Sequence, residues 1–136
     1  PCAGFVPVWA SPIIGTAAGI VCYFAVSFKN KMKWDDALDV WGVHGVGGVL
    51  GTILLGVFAS KAVNQFGADG LVFGDSSFLV KQIVAVVAAS VYAFIFTYLM
   101  LILINLLTPV RVDENTEKQG LDIAIHGEKA YDEGAL

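Results

Sequence analysis

The sequence predicts an all-α membrane protein with three transmembrane helices. Of its 136 residues, 57% are hydrophobic and only 15% are charged, whereas an ordinary soluble domain has about 25% charged residues. Residues 1–28, 40–60 and 82–110 contain no Asp, Glu, Lys or Arg. A helix needs roughly 20 apolar residues to cross a bilayer core, and each stretch is long enough. This composition excludes a disordered chain and argues against a soluble enzyme.

The first predicted helix covers about residues 7–28, since Pro7 suits a first helical turn. Gly15 and Gly19 give it a small-residue face that allows another helix to approach closely. The second helix covers about 36–60. Asp35 and Asp36 are placed to cap its positive end.

The third predicted helix covers about residues 79–109 and ends at Thr108-Pro109. Its 29 uncharged residues would extend ~43 Å as a helix, which exceeds a ~30 Å bilayer core. Residues 1–110 therefore form a transmembrane region. Residues 111–136 form a polar tail that accounts for the whole net charge of −4.

Basic residues predict the orientation of these helices in the membrane. With three spans, the loop between the first two lies on the same side of the membrane as the tail. That side carries five basic residues near the span ends, and the other side carries two: Lys29, Lys31, Lys33, Arg111 and Lys118 against Lys61 and Lys81. The positive-inside rule then predicts a cytoplasmic tail. No Lys/Arg cluster with interleaved aromatic residues indicates nucleic-acid binding. Cys2 and Cys22 lack the spacing of metal ligands, and we expect them to be small buried apolar residues rather than redox centres.

His44 is the one side chain in the three uncharged stretches that ionises near neutral pH. Such residues inside a membrane are costly and mark candidate functional sites. Gly47, Gly48 and Gly51 would follow on the same face of a regular helix. One interpretation is a role in conduction. The other is a hydrogen bond to a neighbouring helix, with the glycines as packing surfaces. A haem or metal role is disfavoured because these stretches hold no second His.

Residues 35–48 resemble the tenth membrane helix of ammonium transporters of the Amt/Mep family, and they read Asp35-Asp36-Ala37-Leu38-Asp39-Val40-Trp41-Gly42-Val43-His44-Gly45-Val46-Gly47-Gly48. The resemblance continues through Gly70-Leu71-Val72-Phe73-Gly74 and Gln82. In the tail it covers Arg111-Val112, Glu117-x-x-Gly120-Leu121-Asp122 and His126-Gly127-Glu128-x-Ala130-Tyr131.

The resemblance implies that this chain is the C-terminal part of an eleven-helix fold: the last three membrane helices and a short cytoplasmic tail. The resemblance also implies a homotrimer in the cell membrane, with one pore per subunit and two facing histidines in each pore. His44 matches the second histidine, and Val40 matches a residue on the apolar route towards the cytoplasm. Asp39 matches a family aspartate, for which we expect a structural role as a helix cap.

The implied function is transmembrane transport of ammonium, with neither enzymatic activity nor a cofactor. Ammonium would be recruited outside and deprotonated, ammonia would pass along a histidine-lined apolar pore, and the proton would be relayed separately. This chain would supply part of the pore wall. The alternatives are an ammonium sensor with a signalling role and a membrane fragment that conducts nothing.

The resemblance implies that the tail is a regulatory segment, which docks on cytoplasmic loops and has a PII-type signalling protein as a partner. The residues that match are Gly120, Asp122, His126, Gly127, Glu128 and Tyr131. The other interpretation is a plain solvated charged segment. For His126 we expect a structural hydrogen-bonding role, since no second metal ligand is spaced with it.

Overall fold

The computed structural model describes residues 1–129, which are helical with no β-strand. Its membrane-length elements are α1 (Ala10–Lys31), a π-helical turn (Trp41–Val46, hereafter the π turn) that runs into α2 (Gly47–Phe58), and α3 (Ser76–Leu107). All three spans are long and apolar enough to cross a membrane. The prediction of an all-α membrane protein with three transmembrane helices is thus confirmed.

Shorter elements complete the chain: a 3₁₀ turn (Leu71–Phe73), α4 (Glu114–Gln119) and a second π-helical turn (Asp122–His126). The chain divides into two compact units, Pro1–Val91 and a second that begins at Tyr92, so the boundary falls inside α3.

Helix α1 begins three residues later than its predicted start at residue 7. Pro7 lies in the preceding turn, where its carbonyl oxygen accepts a hydrogen bond from the Ala10 N–H at 2.9 Å. Pro12 falls in the first turn of α1, where a residue without an N–H costs nothing, because those N–H groups have no partner within the helix.

Helix α3 begins at Ser76, three residues before its predicted start. The Asp75 carboxylate caps it by accepting hydrogen bonds from the N–H of Ser77 at 2.9 Å and of Phe78 at 3.3 Å. The helix ends at Leu107, two residues before Pro109. Its 32 residues extend about 48 Å.

Packing in the first unit relies on small residues. The buried residues include Ala10, Ala59, Ser60 and Lys29, while most large apolar side chains are exposed along the spans. The chain after α2 is tied back by two backbone hydrogen bonds, from Ser60 N–H to the Phe5 carbonyl and from Gly70 N–H to the Ala59 carbonyl. In the same unit, α1 packs directly on the π turn and on α2.

Candidate functional site

His44 lies in the π turn, a feature that sequence periodicity did not predict. A π turn bonds residues five apart instead of four, and such turns are rare and concentrated at functional sites. The Val43 N–H donates to the Asp39 carbonyl oxygen at 2.9 Å at its start. Within residues 1–129, the exposed His44 imidazole has no hydrogen-bond partner. Both of its ring nitrogens are therefore available for hydrogen bonding.

Two glycines hold this segment against α1. A Cβ at Gly42 would lie 2.7 Å from Val26 Cγ2, and a Cβ at Gly47 would lie 3.0 Å from Cys22 Sγ. Gly42 and Gly47 are five residues apart, which is the spacing that a π turn brings onto one face. The extra residue thus directs both glycines at α1 and leaves His44 exposed.

Two of the three glycines expected on the face of His44 have close neighbours in the structure. Gly47 contacts α1, a Cβ at Gly51 would meet the Pro1 ring at 3.1 Å, and Gly48 has no such neighbour within 4 Å. A π turn also shifts the register of the residues that follow it by one position relative to a regular helix.

Cys2 and Cys22 are free thiols and are half-buried. The Cys2 Sγ donates to the Gly51 carbonyl oxygen at 3.3 Å. Burial raises the pKa of the Cys2 thiol. A raised pKa lowers the thiolate fraction, which fits the expected apolar role of this residue.

The capping hydrogen bonds of the second span come from Asp36, while Asp39 has a different contact. The Asp36 carboxylate accepts from the N–H groups of Val40 and Trp41, each at 2.9 Å. The hydrogen bond from Trp41, followed by that from Val40, holds the pKa of Asp36 below its ordinary value. This cap delays the start of the span from the predicted residue 36 to Trp41.

Asp39 forms an ion pair with Lys29, and Lys29 is the residue that sequence analysis missed. The Lys29 Nζ donates to Asp39 Oδ1 and to the Asp36 carbonyl oxygen, each at 2.5 Å. Lys29 is only 4% exposed. The one sequence signal for it is its position as the first charge after 28 uncharged residues.

Aromatic rings form a second connection between α1 and the π turn. Phe28 and Trp34 meet edge to face with centroids 5.7 Å apart, and Trp34 and Trp41 do so at 5.1 Å. Val40 lies directly before the π turn and is half exposed. The structure therefore places the predicted pore residues Val40 and His44 in one segment, held at its base by a polar and an aromatic contact.

The tail residues lie in the second unit. Asp113 caps α4 by accepting from the N–H of Asn115 at 3.0 Å and of Thr116 at 3.1 Å. The Thr116 hydroxyl also donates to this carboxylate and holds the pKa of Asp113 below its ordinary value. Arg111 and Glu117 form a bidentate ion pair whose shortest contact is 2.8 Å.

The tail residues that match the family motif lie within the second π-helical turn or next to it along the chain. Gly120 and Gly127 flank it with left-handed φ angles of 98° and 68°. The carbonyl oxygen of Asp122 accepts from the Glu128 N–H at 3.2 Å, and His126 is exposed. Tyr131 lies outside the described residues. Among residues 1–129, no group of three or more His, Cys, Asp or Glu side chains could hold a metal ion.

Sequence comparison identifies relatives across nearly the whole chain. Residues 1–131 match the model of the Ammonium Transporter Family. An ammonium transporter of Bacillus subtilis is 50% identical over 132 residues, which are 96% of this chain and 33% of the relative. Ammonium transporter Amt1 of Archaeoglobus fulgidus is 42% identical over 131 residues, with the same shares covered. The chain thus spans about a third of the length of these relatives.

Solved structures agree with the sequence comparison. The crystal structure of Saccharomyces cerevisiae Mep2 matches with a TM-score of 0.78 and 31% identity, over 85% of this chain and 27% of Mep2. Candida albicans Mep2 matches with a TM-score of 0.75 and 32% identity over the same shares. The resemblance found in the sequence is confirmed, and this multi-pass membrane chain belongs to the ammonium transporter family.

Proposed function

We propose that this chain is the C-terminal part of a longer ammonium transporter and supplies part of its pore wall. Family membership supports ammonium as the transported species. The observation that carries the proposal is the exposed His44 imidazole on a π turn, within the span that matches the family's membrane-helix motif.

The chemistry of this position suits ammonia better than ammonium. Moving a bare cation through an apolar passage costs many kcal/mol, whereas neutral ammonia needs only hydrogen-bond partners. A neutral imidazole offers one donor and one acceptor, and it can take up or release a proton near neutral pH. In this mechanism His44 accompanies ammonia and relays the proton, while Val40 keeps the adjacent passage apolar.

The test is ammonium-driven current through the complete transporter in proteoliposomes, compared among His44 variants. His44→Leu removes both hydrogen-bonding nitrogens and is expected to reduce the current at least tenfold. His44→Glu keeps a group that relays a proton and is expected to retain passage with altered selectivity. Val43→Leu, a change at the adjacent exposed position, is the matched control. A His44→Leu transporter that assembles normally and conducts at the wild-type rate would overturn the proposal.

We further propose that residues 1–110 are the transmembrane region and that 111–136 form a cytoplasmic regulatory tail of a homotrimer in the cell membrane. The tail carries exposed apolar side chains, among them Leu121, Ile123 and Ile125. Such residues favour docking on a protein surface over plain solvation. The docking partners would be the cytoplasmic loops and a PII-type regulatory protein.

Single-cysteine labelling in sealed vesicles tests this topology. Cys2 and Cys22 are first replaced by Ala, and one cysteine is then introduced at Phe66 or at Asn115. The two are expected to react from opposite sides of the membrane. Labelling of both from one side would contradict the topology.

A further inference from the structure

Lys29 is a buried ammonium group at the junction of α1 and the second span. It is 4% exposed, while Lys31 and Lys33 beside it are exposed. Burying a charge is costly unless it is paired and hydrogen-bonded. Lys29 satisfies this requirement with two oxygen acceptors, the carbonyl of Asp36 and the carboxylate of Asp39.

Both acceptors belong to residues that precede the π turn and hydrogen-bond to its first residues. Asp36 caps the turn through the N–H groups of Val40 and Trp41. The carbonyl of Asp39 accepts the Val43 N–H. Asp39 also has a φ angle of 55°, a left-handed conformation that a non-glycine residue adopts only when its surroundings hold it there.

Val43 immediately precedes His44, so Lys29 contacts the residues whose backbone leads directly into His44. We propose that Lys29 is a positioning residue, which fixes the start of the π turn and through it the placement of His44 and Val40. Its effect on transport rests on the proposed function of His44, whereas its effect on the turn does not.

The aromatic contacts make this inference testable in a folded protein. Phe28, Trp34 and Trp41 connect the same two elements without Lys29. Lys29→Met keeps most of the apolar stem and removes the ammonium group, with its charge and its hydrogen-bond donors. We therefore expect this variant to fold with a loosened π turn.

The experiment compares Lys29→Met with wild type in the complete transporter, with Lys31→Met as a control that removes the same charge two residues away. Hydrogen exchange is followed at the amides of residues 40–46. Loss of hydrogen bonds from a charged donor is expected to speed their exchange about tenfold. The maximal transport rate per folded molecule should fall severalfold. Lys29→Arg should restore part of both, and Lys31→Met should match wild type in both.

Asp39→Asn provides a second test if Lys29→Met does not accumulate. It keeps the size of the side chain and removes its charge, so a smaller rise in exchange is expected at the same amides. Where Lys29→Met does accumulate, the double variant should show an effect smaller than the sum of the two single effects, because both changes break the same contact.

The outcomes separate the two proposals. Wild-type exchange and wild-type rate in folded Lys29→Met would overturn this inference, even where His44→Leu abolishes transport. So would a loss of folded protein in which the remaining molecules behave as wild type. Faster exchange at residues 40–46 together with a conducting His44→Leu variant would support the positioning role and overturn the proposed function alone.

Discussion

The second span and the third are both apolar, yet only the second supplies glycines at its close contacts. The second span, Trp41–Phe58, contains six glycines and α3 contains none. Mean hydropathy over an 18-residue stretch is 1.6 in the second span and 2.3 in the third. Gly42 and Gly47 allow α1 to approach the second span, and Gly56 allows Leu79 near the start of α3 to approach it, whereas α3 itself buries no residue.

This difference shows that hydropathy and packing are separate properties of a membrane helix. Lipid tails are as apolar as leucine, so hydrophobicity does not draw two spans together. Two spans associate where their backbones can approach closely, because close approach increases van der Waals contact. The span with lower hydropathy accordingly supplies the glycines at these close contacts, and it also carries His44.

The largest effect is expected from enlarging Gly42. A Cβ there would lie 2.7 Å from Val26 Cγ2 and 3.1 Å from the Val26 backbone nitrogen, which cannot move aside. Gly42→Ala should cost about 1–3 kcal/mol of unfolding free energy, and Gly42→Leu more. Denaturant unfolding of the complete transporter in detergent measures this. Gly48→Ala, with no neighbour within 4 Å, is the control. Equal stability of the two alanine variants would contradict the packing role of Gly42.

A smaller effect is expected from the reverse exchange in α3. Ala88 is exposed and lies near the middle of this glycine-free helix. Ala88→Gly should cost no more than about 1 kcal/mol, which is the difference in helix propensity alone. The same unfolding measurement applies. A loss of several kcal/mol would show that α3 depends on close packing too, and the contrast between the two spans would disappear.

The smallest effect concerns the start of α3 and depends on pH. The Ser77 hydroxyl donates to the Asp75 carboxylate and holds the pKa of Asp75 below its ordinary value. A lowered folded-state pKa stabilises the protein above the unfolded value, near pH 4, and this contribution is lost as pH falls through the folded-state pKa.

Asp75→Asn keeps a capping side chain but does not titrate. The melting temperature of wild type should therefore fall slightly more between pH 5 and pH 3 than that of Asp75→Asn. Identical acid profiles would mean that the α3 cap makes no pH-dependent contribution. The two spans also differ in the position of the capping residue. Asp75 accepts a hydrogen bond from an N–H two residues later, whereas Asp36 accepts one from Val40, four residues later.

Periodicity and composition predicted the features that depend on the chain alone. Uncharged stretches of 21 to 29 residues specify spans, because the length of an apolar helix must match the bilayer. Pro109 marks the end of α3, because proline removes a backbone donor. His44 stands out because an ionisable side chain in an apolar span is costly.

Tertiary structure decided the π turn, the pairing of Asp39 with Lys29 in place of its expected capping role, and the burial of Lys29. A π turn adds one residue to a helical turn without changing composition, so an apolar pattern cannot distinguish it from an α-helix. The contacts that accompany it involve Val26 and Cys22, about twenty residues earlier in the chain. Lys29 looks like an ordinary helix-end lysine until Asp36 and Asp39 fold back onto it. Contacts with other parts of the chain therefore determined the surroundings of the segment that carries His44, while the local sequence determined only that His44 lies in an apolar span.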